Sequence, residues 1–94
     1  VITYAAAKGA ILSMTTTIAA HCREKGYAIR CNAILPGMIN TPLLAAVGAD
    51  TLPGLGQPED VANTVLFLAS DESRHLSGAQ IVLDNAASII GGGA

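Results

Sequence analysis

Ala28-Ile29-Arg30-Cys31-Asn32-Ala33-Ile34-Leu35-Pro36-Gly37 reads as a strand over residues 28–35 that the Pro36-Gly37 pair brings to a stop. Downstream, Gln57-Pro58-Glu59-Asp60 opens a helix, with proline in the first turn and two acids beside the positive end of the helix dipole. Val61, Val65 and Leu68 form its expected inward stripe, flanked by Ala62, Leu66 and Ala69. After a polar connection over 71–78, residues 79–83 make a second strand that ends near Asp84. Strand, helix, strand is a right-handed βαβ unit, so the two strands are expected to be parallel neighbours.

Residues 3–25 read as one long helix upstream of this unit. Ala7, Ile11, Met14, Ile18 and Cys22 recur at three- and four-residue steps, and Ala5, Leu12 and Ala19 line a second apolar face. A helix apolar on two sides needs a sheet on one and a further partner on the other. Arg23 and Lys25 suit its negative end, and Gly26 is placed to cap it. Residues 38–56 read as a long, partly mobile loop with a short helical piece near 43–47, and loops of that length are usually functional. Gly91-Gly92-Gly93 is expected to fray. No internal repeat is visible. Two strands cannot cover these helices, because a parallel sheet is sheathed on both faces and has more strands. The fold class is therefore α/β, and residues 1–94 are expected to be the C-terminal part of one doubly wound parallel-sheet domain whose N-terminal half is absent, with Val1 reading as a cut.

Composition fits a buried, alanine-rich α/β interior. Of the 94 residues, 51% are hydrophobic and only 13% charged, which excludes a disordered chain. A net charge of −2 with five basic residues argues against a nucleic-acid backbone or an anionic membrane as partner. No apolar run is long enough to span a bilayer, and no signal peptide is visible. Cys22 and Cys31 lack metal-ligand spacing and read as reduced core thiols of a cytoplasmic protein. His21 and His75 have nothing beside them that would complete a site, and no metal is expected.

Tyr4-Ala5-Ala6-Ala7-Lys8 carries the chemistry. The four-residue step stacks Tyr4 and Lys8 on one helix face, one turn apart. A phenol titrates near 10 in water, and an adjacent ammonium favours the phenolate. A tyrosine tuned in this way can exchange a proton with a substrate oxygen.

The order of motifs then resembles the second half of a short-chain dehydrogenase/reductase. Tyr4-Ala5-Ala6-Ala7-Lys8 is followed by Arg30-Cys31-Asn32-Ala33-Ile34-Leu35-Pro36-Gly37 and Thr41-Pro42. Gly56-Gln57-Pro58-Glu59-Asp60-Val61-Ala62, Phe67-Leu68-Ala69-Ser70 and Ser77-Gly78-Ala79-Gln80 come next in the same order. Residues 22–30 and Leu83-Asp84-Asn85 look most like bacterial hydroxysteroid dehydrogenases. The resemblance implies a Rossmann-type NAD(P)-binding domain, with NAD favoured over NADP, acting on a small apolar alcohol or ketone within a homo-oligomer (a dimer or tetramer). Tyr4 would be the catalytic acid/base. Lys8 would lower its pKa and hydrogen-bond the nicotinamide ribose. Pro36 and Gly37 would let the nicotinamide end approach the backbone, Ile39 would hold the carboxamide through its main chain, and Thr41 would add a hydroxyl. Met38, Leu43 and Leu44 would open the substrate loop.

Two departures stand out. The family has two glycines after the terminal strand's aspartate, where this chain has Asp84-Asn85-Ala86. The glycine-rich phosphate loop, the cofactor-selecting residue and the catalytic serine would all lie before Val1, so the chain alone is expected to be inactive. The alternative reading is a non-catalytic assembly module with an unused Tyr/Lys pair. A glycine-rich loop and a serine roughly a dozen residues upstream of Tyr4, a spacing the resemblance implies, would decide for the enzyme.

Overall fold

The computed structural model describes residues 2–90, apart from the side chain of Tyr4. The expected frayed tail at 91–93 and the Tyr4 phenol lie outside the described residues. In chain order the elements are α1 (Ile2–Lys25), β1 (Ala33–Pro36), α2 (Pro42–Ala46), α3 (Pro58–Ala69) and β2 (Gln80–Leu83), with single 3₁₀ turns at Asp71–Ser73 and Ala87–Ile89. The two strands pair in parallel, from Ala33 opposite Gln80 to Pro36 opposite Leu83. α3 is the crossover between them, as parallel neighbours require.

Side-chain and cap chemistry sets the ends of the elements. At the end of α1, the Tyr27 N–H donates to the Cys22 carbonyl (2.9 Å) and the Gly26 N–H to that of Arg23 (3.1 Å), with Gly26 at φ +70°. That is the paired closure a glycine C-cap provides. α2 closes the same way at Gly48, where the Ala49 N–H reaches the Leu44 carbonyl. At the start of α3, the Gln57 N–H donates to the Asp60 carboxylate at 2.7 Å, so the acid satisfies a donor as well as facing the dipole.

β1 is shorter than the 28–35 stretch predicts, and residues 28–32 approach it without joining the ladder. Their polar groups are used otherwise. The Cys31 N–H donates to Ser77 Oγ (3.2 Å), and the Asn32 amide donates to the Leu76 carbonyl and accepts the Ala79 N–H, both at 3.0 Å. Arg30 sends Nη2 to the Leu68 (2.7 Å) and Ser70 (3.3 Å) carbonyls and Nη1 to the Leu76 carbonyl (3.1 Å). The guanidinium thus ties the C-terminal end of α3 to the entrance of β1, with its charge at the negative end of that helix dipole.

Of the two apolar faces expected on α1 the structure buries mainly the second, and α3 keeps most of its expected stripe. On α1 the buried side chains are Thr15, Ala19 and Cys22, with Leu12 half-buried: Leu12 and Ala19 come from the second predicted face, Cys22 from the first and Thr15 from neither. Ile11, Met14 and Ile18 are exposed. Small residues are chosen because α1 meets the sheet at close range, where Ala33 is the buried strand residue and Gly78 offers no side chain. The larger apolar residues are left outward. On α3, Val61 and Leu68 are half-buried as expected, while Thr64 takes the inward place between them and Val65 is half-exposed.

The 38–56 segment does contain a helix, α2, near the expected place. Its two ends are pinned together: the Gly56 N–H donates to the Met38 carbonyl (3.0 Å) and the Asn40 N–H to that of Gly56 (2.7 Å). No helix among the described residues is long and apolar enough to cross a membrane.

Candidate active site

Lys8 lines a cavity of about 510 Å³ with Ile11 and Leu12 of α1 and the length of β1, from Ala33 to Pro36 and Gly37 at its carboxyl end. The helix backbone puts position 4 one turn before position 8. Three of the predicted site residues, Lys8, Pro36 and Gly37, therefore border one space. Ligands of open α/β sheets sit at this end of the strands.

Met38 and Ile39 border a different cavity, of about 500 Å³, together with Gly56, Asp60, Leu83 and Asp84. Ile39 faces Gly56 in an isolated parallel bridge. The bridge uses the Met38 carbonyl and the Asn40 N–H, which keeps the N–H and C=O of Ile39 itself out of the pairing. Thr41 precedes α2 in the N-cap position, with no capping bond from its hydroxyl. Its carbonyl accepts the Leu44 and Ala45 N–H groups instead. Leu43 is 71% exposed and Leu44 is half-buried. The structure thus separates the expected substrate residues, with Met38 at the second cavity and Leu43 and Leu44 on the short helix beyond it.

Sequence reasoning missed Asp84. A Cβ added at Gly37 would stand 2.7 Å from the Asp84 Cβ and 3.1 Å from its Cα, so glycine is needed here for strand contact, whatever else approaches it. The Gly37 N–H also donates to the Leu83 carbonyl at 2.9 Å. Hydrogen bonds from Ser88, the side-chain bond first and the backbone bond next, hold the Asp84 carboxyl below the usual carboxylate range, against a smaller opposing effect of desolvation. The backbone bond runs from the Ser88 N–H to Oδ2 at 2.9 Å. Asn85 and Ala86, which replace the family's glycines, both take left-handed conformations, with φ of 51° and 66°. Only the Asp84-Asn85-Ala86 departure pointed to this corner in the sequence. Cys22 and Cys31 are both free thiols, and no cluster of metal-binding side chains occurs among the described residues.

Comparison with known proteins shows the family and the fold. A family model described as enoyl-(acyl carrier protein) reductase matches residues 2–87. The chain belongs to the short-chain dehydrogenase/reductase family. It is 42% identical over 88 residues to the (3R)-3-hydroxyacyl-CoA dehydrogenase of Canis lupus familiaris, covering 83% of this chain and 33% of that protein. It is 38% identical over 96 residues to the 7α-hydroxysteroid dehydrogenase of Bacteroides fragilis, covering 92% of this chain and 36% of that protein. The crystal structure of a short chain dehydrogenase from Mycobacterium paratuberculosis bound to NAD superposes with a TM-score of 0.71 at 36% identity, covering 87% of this chain and 36% of that one. The chain spans about a third of the length of the curated relatives it matches. The expected family, its bacterial hydroxysteroid dehydrogenase members among the relatives, and the doubly wound α/β fold are thereby borne out.

Proposed function

We propose that this chain carries the proton-transfer part of an NAD(P)-dependent oxidoreductase that interconverts a secondary alcohol and a ketone, with a hydroxysteroid-like apolar molecule as the substrate class. The reading rests on one observation: Lys8, one helical turn from Tyr4, borders the same cavity as Pro36 and Gly37 at the carboxyl end of β1. A cation beside an apolar wall and exposed main chain fits the ribose and nicotinamide end of NAD or NADP. When bound, the nicotinamide supplies or accepts the hydride at the carbonyl carbon.

The chain's own residues handle the proton. The Tyr4 hydroxyl donates to the ketone oxygen, or its phenolate accepts from the alcohol. The Lys8 ammonium favours the phenolate and hydrogen-bonds the ribose. Pro36 and Gly37 give the nicotinamide end a close backbone approach, Ile39 supplies main-chain groups outside the bridge, and Thr41 adds a hydroxyl that caps nothing. Met38, Leu43 and Leu44 present apolar surface to the substrate. The phosphate-binding half of the site lies elsewhere in the whole protein, so residues 1–94 alone are inactive. The exposed Ile11, Met14 and Ile18 face of α1 is suited to burial in that larger protein and its homo-oligomer, and the two free cysteines suit a cytoplasmic setting.

Tyr4→Phe in the whole protein tests the reading. Turnover should fall by about 10²- to 10⁴-fold while NAD(H) binding changes little. Near-normal turnover would sink the assignment and leave the assembly reading in its place.

A further inference from the structure

We propose a second ligand site, for a multivalent oxyanion, in a cavity of about 620 Å³ at the amino end of the strands, which shares no lining residue with the Lys8 cavity. Its walls come from the last turns of α1 and the segments that lead into β1 and β2. Arg23, Arg30, Arg74 and His75 all line it. The chain has five lysines and arginines against seven acids, so three of the five basic residues, with one of two histidines, face one space in a chain of net charge −2. No acidic side chain is among its described lining residues. Glu24, Asp71 and Glu72 are sequence neighbours of these arginines but lie outside the lining.

The arginines divide the work. Arg30 has both terminal nitrogens on backbone carbonyls and contributes a fixed positive charge. Arg23 and Arg74 are exposed and have no ion-pair partner among the described residues, so their planar forks are open to bidentate oxyanions. Tyr27 and Ile29, each more than half exposed, add an apolar rim that would take the carbon body of a phosphorylated or polycarboxylate ligand. Three like charges round one concavity attract a multivalent anion and are relieved by it.

Calorimetric titration of the full-length protein, held saturated with NAD so that the cofactor's own phosphate site is filled, tests the proposal. Inorganic pyrophosphate and citrate are the two probes. Saturable binding is expected for at least one of them, weakened about tenfold or more by Arg23→Ser with Arg74→Ser, while turnover and NAD affinity stay at wild-type values. Pyrophosphate alone would mark a phosphorylated ligand, citrate alone a polycarboxylate, and both the shared chemistry. No saturable binding of either probe at millimolar concentration, or binding indifferent to the double substitution in a variant with an unchanged circular dichroism spectrum, overturns the site. Neither substitution touches Tyr4 or Lys8, so loss of this site and failure of the catalytic reading are separately visible.

Discussion

Gly37 and Asp84 stand so close that only a hydrogen fits between them: a Cβ on the first would lie 2.7 Å from the Cβ of the second. The ends of β1 and β2 are thereby locked at the edge of the proposed nicotinamide cavity. Gly37→Ala should destabilise the protein by about 1–3 kcal/mol, since the neighbouring atoms belong to the Asp84 backbone and its first side-chain carbon and cannot swing aside. Denaturant unfolding of the whole protein measures it. Wild-type stability in that variant would show that the corner yields and that glycine is kept there for another reason.

Ala86 gives a prediction of the opposite sign. Its φ of 66° and ψ of 11° place a side-chain-bearing residue in the left-handed region, at a cost of about 1 kcal/mol. Glycine removes that strain but gives the unfolded chain more freedom. Ala86→Gly should therefore stabilise by a few tenths to about 1 kcal/mol. Asn85→Gly should be near neutral, because asparagine tolerates this conformation. Thermal unfolding of the two variants side by side checks the contrast, and a lower melting temperature for Ala86→Gly contradicts it.

Arg30 is a stability residue. With its three carbonyl contacts on Leu68, Ser70 and Leu76, Arg30→Met should cost about 1.5–3 kcal/mol, and Arg30→Lys less, because an ammonium keeps the charge but cannot span three acceptors. Wild-type stability in Arg30→Lys would mean that charge alone, without the fork, holds the end of α3, and equal losses for the two variants that the charge adds nothing to the fork.

These particulars show what was legible in the chain. The parallel strands and the crossover helix were readable because turn chemistry and apolar runs are local signals, as at Pro36-Gly37 and Gln57-Pro58. The Tyr4 to Lys8 step, being helical, was readable for the same reason. Which of the two apolar faces of α1 meets the sheet was not. Periodicity selects the most apolar stripe, Ile11, Met14 and Ile18, whereas close approach to the sheet selects the smallest, Thr15, Ala19 and Cys22. The shortening of β1 was also hidden, because it depends on Asn32 and Arg30 meeting groups more than 35 positions away. The Gly37 contact with Asp84 is of the same long-range kind.

Asp84 also gives a pH prediction. Its carboxyl sits below the ordinary range, chiefly through hydrogen bonds from Ser88. A group whose folded pKa is depressed contributes stability above its unfolded pKa, and that contribution is lost as pH falls through the folded value. Asp84→Asn should therefore be less stable than wild type near neutrality, and the gap should close below about pH 4. Unfolding midpoints at pH 7 and pH 3 decide it, with a gap that stays constant as the adverse result.

Lys8 offers the sharpest check on the proposed chemistry, because its role predicts a change in profile as well as in rate. In the alcohol-oxidising direction the reaction needs the Tyr4 phenolate, so the acid limb of kcat/KM follows the phenol's ionisation. Removing the ammonium in Lys8→Met withdraws an attractive charge, and the phenol should rise toward its ordinary value near 10. The acid limb of the whole protein should move to higher pH by about one unit or more, and KM for NAD should rise as the ribose contact is lost. Lys8→Arg keeps the charge and should leave the limb close to its wild-type place. If Lys8→Met lowers the rate uniformly at every pH with no movement of the limb, Lys8 supports the helix or the cofactor alone and does not tune Tyr4.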